Sequence, residues 1–242
     1  MLAPKNSSRE AVGIAMGILV IAIISLNALL SIPFLSIAIS ILVSLAVIEL
    51  ASIAQKATQS IKLTLQIILQ TAILITADMS IWLMERTIDN WPLIFFAVAL
   101  PVVCQNSLAY YIGSKLLPRT HGWFKSFLKF RNFRHSHNKY LGVVIASSAV
   151  SLIFALVFAI FQMFLAAAAA AIGAIFAALG DYLESQLKRT ADVKDSGELL
   201  RDGKSIIAKL ERAVSSHGGF LDRFDSLSLC YALCLPVILI SS

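Results

Sequence analysis

The sequence predicts an all-α, polytopic integral membrane protein with about seven transmembrane helices and its active-site loops on the cytoplasmic side. Composition and charge placement carry that prediction. Of 242 residues, 58% are hydrophobic and 14% charged, with a mean hydropathy of +0.83, whereas a soluble domain carries about 25% charged residues. The 34 charged side chains (20 basic, 14 acidic) are also spread unevenly. None occurs between Glu10 and Glu49, between Asp89 and Lys115, or between Lys139 and Asp181, which leaves gaps of 38, 25 and 41 residues. A helix needs roughly 20 apolar residues to cross a bilayer core. A water-soluble enzyme, a disulfide-stapled secreted domain and a disordered chain are excluded.

Each element follows from its flanks. The first gap accommodates a helical hairpin over about 11–30 and 32–52, with Asn27 and Pro33 near its turn. The apolar run after Lys5 and Arg9 is longer than a signal-peptide core, so it reads as retained membrane helices. A third span is expected at 62–84 and a fourth at 92–114, joined by a loop with two acids, one base and an interfacial Trp91. The loop 115–139 has seven bases and no acid, another hairpin covers 140–187, and 188–225 carries eight bases. A last apolar run, 226–242, crosses once more. The strongly basic segments then fall on one side, which the positive-inside rule makes cytoplasmic, in the inner membrane. The chain reads as a single domain over 1–242. Ala166 to Ala171 with Gly173 and Gly180 form a small-residue face for close helix approach.

The net charge of +6 and pI near 9.3 do not indicate nucleic acid here. In a membrane protein they orient the chain and attract anionic lipid headgroups and anionic substrates. Cys104, Cys230 and Cys234 all lie in apolar runs. An odd, buried set argues against disulfides, and Cys230/Cys234 at i, i+4 reads as helix packing.

Ionisable groups within apolar spans are costly and often functional, which singles out Glu49 and Asp78 together with the polar Asn106. Asp181 stands out further, because it ends 41 uncharged residues and opens a polar stretch. Beyond it, Asp222 and Asp225 are three residues apart and share a helix face. Neighbouring carboxylates repel unless a cation lies between them, and oxygen-only clusters suit a magnesium ion. Lys188, Arg189, Lys194 and Arg223 supply the charge that a polyphosphate requires. Gly218 and Gly219 expose backbone N–H groups to phosphate oxygens. These residue types together describe phosphoryl or nucleotidyl transfer at a membrane surface; the bland alternative is a solvated loop with helix caps.

The stretch Ser185-x-Leu-Lys-Arg189, four residues, Lys194-Asp195-x-Gly197, Leu200, and later His217-Gly-Gly-Phe-x-Asp222-Arg-Phe-Asp225 resembles the signature of the phosphatidate cytidylyltransferases (CDP-diacylglycerol synthases). The signature region is 180–227. The resemblance implies a reaction of CTP with phosphatidic acid, giving CDP-diacylglycerol and pyrophosphate for phospholipid synthesis. It implies Asp181, Asp222 and Asp225 as ligands of a magnesium ion, with a second cation left open. Lys188 and Arg189 would face the nucleotide phosphates, while Lys194, Asp195, His217 and Arg223 complete the site. Membrane lipids are further partners, and a homodimer stays open.

Three departures accompany the resemblance. About 14 extra residues lie between Leu200 and His217, near 201–214, and their apolar positions recur at helical spacing opposite Lys204, Lys209 and Arg212. They read either as an amphipathic helix on the inner leaflet or as a tolerated loop extension. In the fourth span, Asn106 stands where the family commonly has Asp. In the basic loop, Ser136-His-Asn-Lys139-Tyr-Leu-Gly142 keeps Ser and Lys of the family's motif but lacks its acid. The alternative readings are a non-catalytic membrane protein with a decayed site and a CTP-dependent lipid kinase.

Overall fold

The computed structural model describes residues 18–27, 29–30, 32–56, 60–130, 132–133, 136–193, 196 and 220–241. Among these, helices α1 (Ile18–Asn27), α2 (Phe34–Lys56), α3 (Ile61–Thr87) and α4 (Trp91–Tyr111) come first. The fourth helix continues through a π turn, Ile112–Leu116, and a 3-10 turn, Leu117–Arg119. Then follow α5 (Gly122–Leu128), α6 (Leu141–Ile160), α7 (Phe164–Thr190) and α8 (Phe220–Ser241). The basic loop adds a small antiparallel ladder, β1 (Asn132–Phe133) with β2 (Ser136–Tyr140), which the all-helical expectation did not include.

Five helices are long and apolar enough to cross a membrane: Phe34–Gln55, Ile61–Thr87, Trp91–Arg119, Leu141–Ile160 and Phe164–Thr190. The expected count of seven is not reached among the described residues. The apolar part of α8, Phe224–Ile240, is shortened by the acidic first turn of that helix, and α1 is described only from Ile18. The fourth span runs five residues past its expected end, because the π and 3-10 turns carry it as far as Arg119.

The hairpin of α1 and α2 is stitched at its turn. Asn27 Oδ1 accepts from Phe34 N at 2.8 Å, and Asn27 Nδ2 and Ser36 Oγ both donate to Glu85 at the end of α3. Between α2 and α3, Ser40 Oγ donates to Asp78 Oδ1 at 2.8 Å. Asp78 therefore has a local partner and does not line the large cavity described below.

Helix α7 packs against α4, α6 and α8. It does so through small residues: Ala166, Ala169, Ala170, Gly173, Ala174, Ala177 and Gly180 are all buried on it, so backbones approach closely. A Cβ on Gly173 would lie 2.7 Å from the Val98 carbonyl oxygen of α4, and one on Gly180 would lie 2.5 Å from the Asp225 carbonyl oxygen of α8. Cys230 and Cys234 are free and buried, as expected of packing residues. Beside them Tyr231 stacks on Phe95 and donates its hydroxyl to the Phe95 carbonyl at 3.0 Å.

Candidate active site

The site is built where α7 leaves the apolar core. Its last turns place Asp181, Glu184 and Lys188 at i, i+3 and i+7, hence on one face. Gly180 lets α8 come against this face, which brings Asp225 beside Asp181 and Glu184. One carboxylate oxygen from each of the three lies within 4.8 Å of the others. Glu184 and Asp225 are buried and Asp181 is half-buried.

Asp222 sits one turn earlier on α8 and is held differently. Its Oδ1 accepts from Lys188 Nζ at 2.5 Å, and Lys188 also lies 2.7 Å from Glu184 Oε1. The side chain of Lys188 therefore bridges two carboxylates. Asp222 Oδ2 faces Ser196, with the amide at 3.4 Å and the hydroxyl at 3.3 Å. The Ser196 hydroxyl has a closer acceptor in Glu49 Oε2, at 2.7 Å.

Glu49 is fully buried on α2. Besides Ser196, its carboxylate accepts from Phe220 N at 2.6 Å and Leu221 N at 2.9 Å. Amides in a helix's first turn lack intrahelical partners and favour negative charge. A single side chain from α2 thus joins the segment after α7 to the start of α8.

Between the acidic helices and the α4–α5 region lies a cavity of about 870 Å³. Asp181, Asp222, Asp225 and Ser226 form one wall; Lys125, Lys129 and Asn106 lie among the residues of the others. Buried at this site, Gln105 Oε1 and Ser226 Oγ have no hydrogen-bond partner among the described residues.

The sequence-predicted residues distribute as follows. Asp181 and Asp225 converge, Asp222 lines the same cavity, and Asn106 contributes to its wall. Lys188 is engaged by acids, whereas Arg189 is exposed and outside the cavity lining. Lys194, Asp195, His217, Gly218, Gly219 and the extra segment near 201–214 lie outside the described residues, as do the side chains of Lys139 and Arg223. Sequence reasoning missed Glu184, Glu49 as an anchor, Ser196, and the pair Lys125 and Lys129. Glu184 had a local signal in its i+3 spacing from Asp181, and Glu49 had one as a charge in an apolar span, although its anchoring role did not follow from it.

The donor set fits a hard divalent cation. Asp181, Glu184 and Asp225 converge, Asp222 shares the Lys188 ammonium with Glu184, and all four offer oxygen. Glu184 Oε1 is paired with Lys188 without hydrogen-bond geometry. Buried carboxylates in such numbers require a compensating charge.

Residues 136–241 match the model of the cytidylyltransferase family. That stretch contains α6, α7 and α8 and both parts of the signature. The chain is 32% identical over 151 residues to a phosphatidate cytidylyltransferase of Bacillus subtilis (strain 168), which covers 58% of this chain and 46% of that relative. It thus spans about half the length of the curated relative it matches. No solved structure matches the chain significantly. The family resemblance read from the signature is borne out.

Proposed function

With the cytidylyltransferase resemblance borne out over residues 136–241, we propose that this chain joins CTP to phosphatidic acid at the cytoplasmic leaflet of the inner membrane. The products are CDP-diacylglycerol and pyrophosphate. The observation that carries this reading is the convergence of Asp181, Glu184 and Asp225, of which Asp181 and Asp225 line a cavity that also has lysines on its wall.

No enzyme nucleophile is required. An oxygen of the lipid phosphate attacks the α-phosphorus of CTP, a new P–O bond forms, and the bond to the β-phosphate oxygen breaks, releasing pyrophosphate. Asp181, Glu184 and Asp225 would hold a divalent cation, with Asp222 beside them; when bound, it neutralises phosphate charge. Lys188 holds Asp222 and Glu184 in register, so the carboxylates keep their orientation. The cavity fixes both substrates relative to each other, which turns a two-body encounter into an oriented one. Gln105 Oε1 and Ser226 Oγ, without a partner among the described residues, would offer hydrogen bonds to a bound ligand.

Purified protein given phosphatidic acid, magnesium and labelled CTP is expected to put label into a CDP-lipid. With CTP labelled instead at its γ-phosphate, label in a phosphorylated lipid alcohol would identify a lipid kinase. No turnover and no CTP binding would leave the non-catalytic scaffold.

A further inference from the structure

The phosphates of the proposed substrates need cations, and of the four bases expected to serve them only Lys188 and Arg189 have described side chains. Lys188 bridges Glu184 and Asp222, and Arg189 does not line the cavity. Among the described residues, Lys125 and Lys129 are the only cationic side chains that line it. They are four residues apart, Lys125 within α5 and Lys129 at its C-cap, so both can face one ligand. Neither makes a salt bridge among the described residues.

Their surroundings indicate which phosphate. Trp123, Phe127 and Phe130 on and just after α5 are exposed, although α5 is part of a strongly basic segment. Aromatic and basic residues interleaved in this way characterise the membrane–water interface, where the ring bodies meet lipid and the ammonium groups meet headgroups. A nucleotide comes from the water with its own cation and can approach the carboxylates. A lipid phosphomonoester comes from the leaflet without one and is repelled by the acidic wall. Resting on the reading of the chain as a cytidylyltransferase, we propose that Lys125 and Lys129 bind the phosphomonoester of the lipid substrate and hold it across the cavity from the carboxylates.

Direct binding tests this apart from turnover. The full chain in detergent is titrated with short-chain phosphatidic acid, with the matching diacylglycerol, with inorganic phosphate, and with CTP plus magnesium. The doubly substituted Lys125→Gln/Lys129→Gln chain is expected to bind phosphatidic acid about tenfold more weakly, as the loss of charge-assisted bonds implies. Its affinity for CTP with magnesium should stay within about twofold of wild type, and the Lys125→Arg/Lys129→Arg chain should keep phosphatidic acid within about threefold. Unchanged affinity for phosphatidic acid overturns the proposal. So does a loss confined to CTP or to inorganic phosphate, which assigns the lysines to a water-borne phosphate. Should the double variant fail to fold, the exposed Lys129→Gln alone is expected to weaken lipid binding about threefold, and no change overturns the proposal. Lysine-dependent lipid binding without CTP turnover would sink the cytidylyltransferase reading and leave this one standing. Turnover with an unaltered KM for phosphatidic acid in the double variant would do the reverse.

Discussion

Glu49 illustrates how one buried charge can be affordable and necessary together. A carboxylate with three donors at hydrogen-bond distance replaces its hydration with bonds of the charge-assisted kind, each about 1.5–3 kcal/mol. Glu49→Gln keeps the shape and loses the charge, so a loss of about 2 kcal/mol is expected, read from thermal unfolding in detergent. Glu49→Leu removes every acceptor, and about 3–5 kcal/mol is expected, since amides and a hydroxyl are then buried unpaired. Asp225 belongs to a different class. Asp225→Asn should leave the fold intact but reduce turnover by more than the roughly 100-fold that loss of an outer metal-site partner brings. Activity close to wild type in that variant would remove Asp225 from the site. At this scale the sequence announced Asp181, Asp222 and Asp225, because they end an apolar run and share a helix face. It singled out Glu49 as a charge in an apolar span but could not announce its anchoring role, because its partners are 147 to 172 residues away. Lys125 and Lys129 were hidden among seven bases of one loop, where only topology separates a cavity lysine from a solvated one.

Two glycines set how the site-bearing helices meet. Gly180 allows α7 and α8 to touch at the backbone, and a methyl group there would lie 2.5 Å from the Asp225 carbonyl and 2.8 Å from Ser226 Cα. Neither neighbour is a flexible side-chain end, so Gly180→Ala is expected to cost about 1–3 kcal/mol. It should also part Asp225 from Asp181, visible as weakened manganese binding by electron paramagnetic resonance. Gly142 plays the same part for α5, since a Cβ on it would lie 1.9 Å from the Phe127 carbonyl oxygen. Gly142→Ala must displace α5, and weakened phosphatidic acid binding with CTP binding retained is the expected result. The α7 small-residue face was legible because its glycines and alanines recur at helical spacing. The short α5 and the β1–β2 ladder were not, as seven- and five-residue pieces carry no periodicity to read.

For the whole molecule, the charge gaps located the spans well because a bilayer permits little else than apolar helix over that length. The count was harder, since α8 begins with the residues of the site and so has a shorter apolar part than its neighbours. Under the proposed function, the acidic cluster makes the bundle's stability depend on a counter-ion. Adding magnesium at about 100 times its dissociation constant is expected to stabilise the fold by about 2.7 kcal/mol. Chelation should reverse this, and a melting temperature indifferent to magnesium would contradict the cation reading. These helices also have an order in time. Glu49 is synthesised long before Phe220 and Leu221, so a nascent chain carries the α2 carboxylate without its two amide donors until α8 emerges to supply them. Such a charge is poorly tolerated in hydrocarbon, and it marks every unfinished copy as different from a finished one. The docking of α8 and the assembly of the acidic cluster are then the same event, so the nascent bundle acquires its proposed cation site only when α8 is in place.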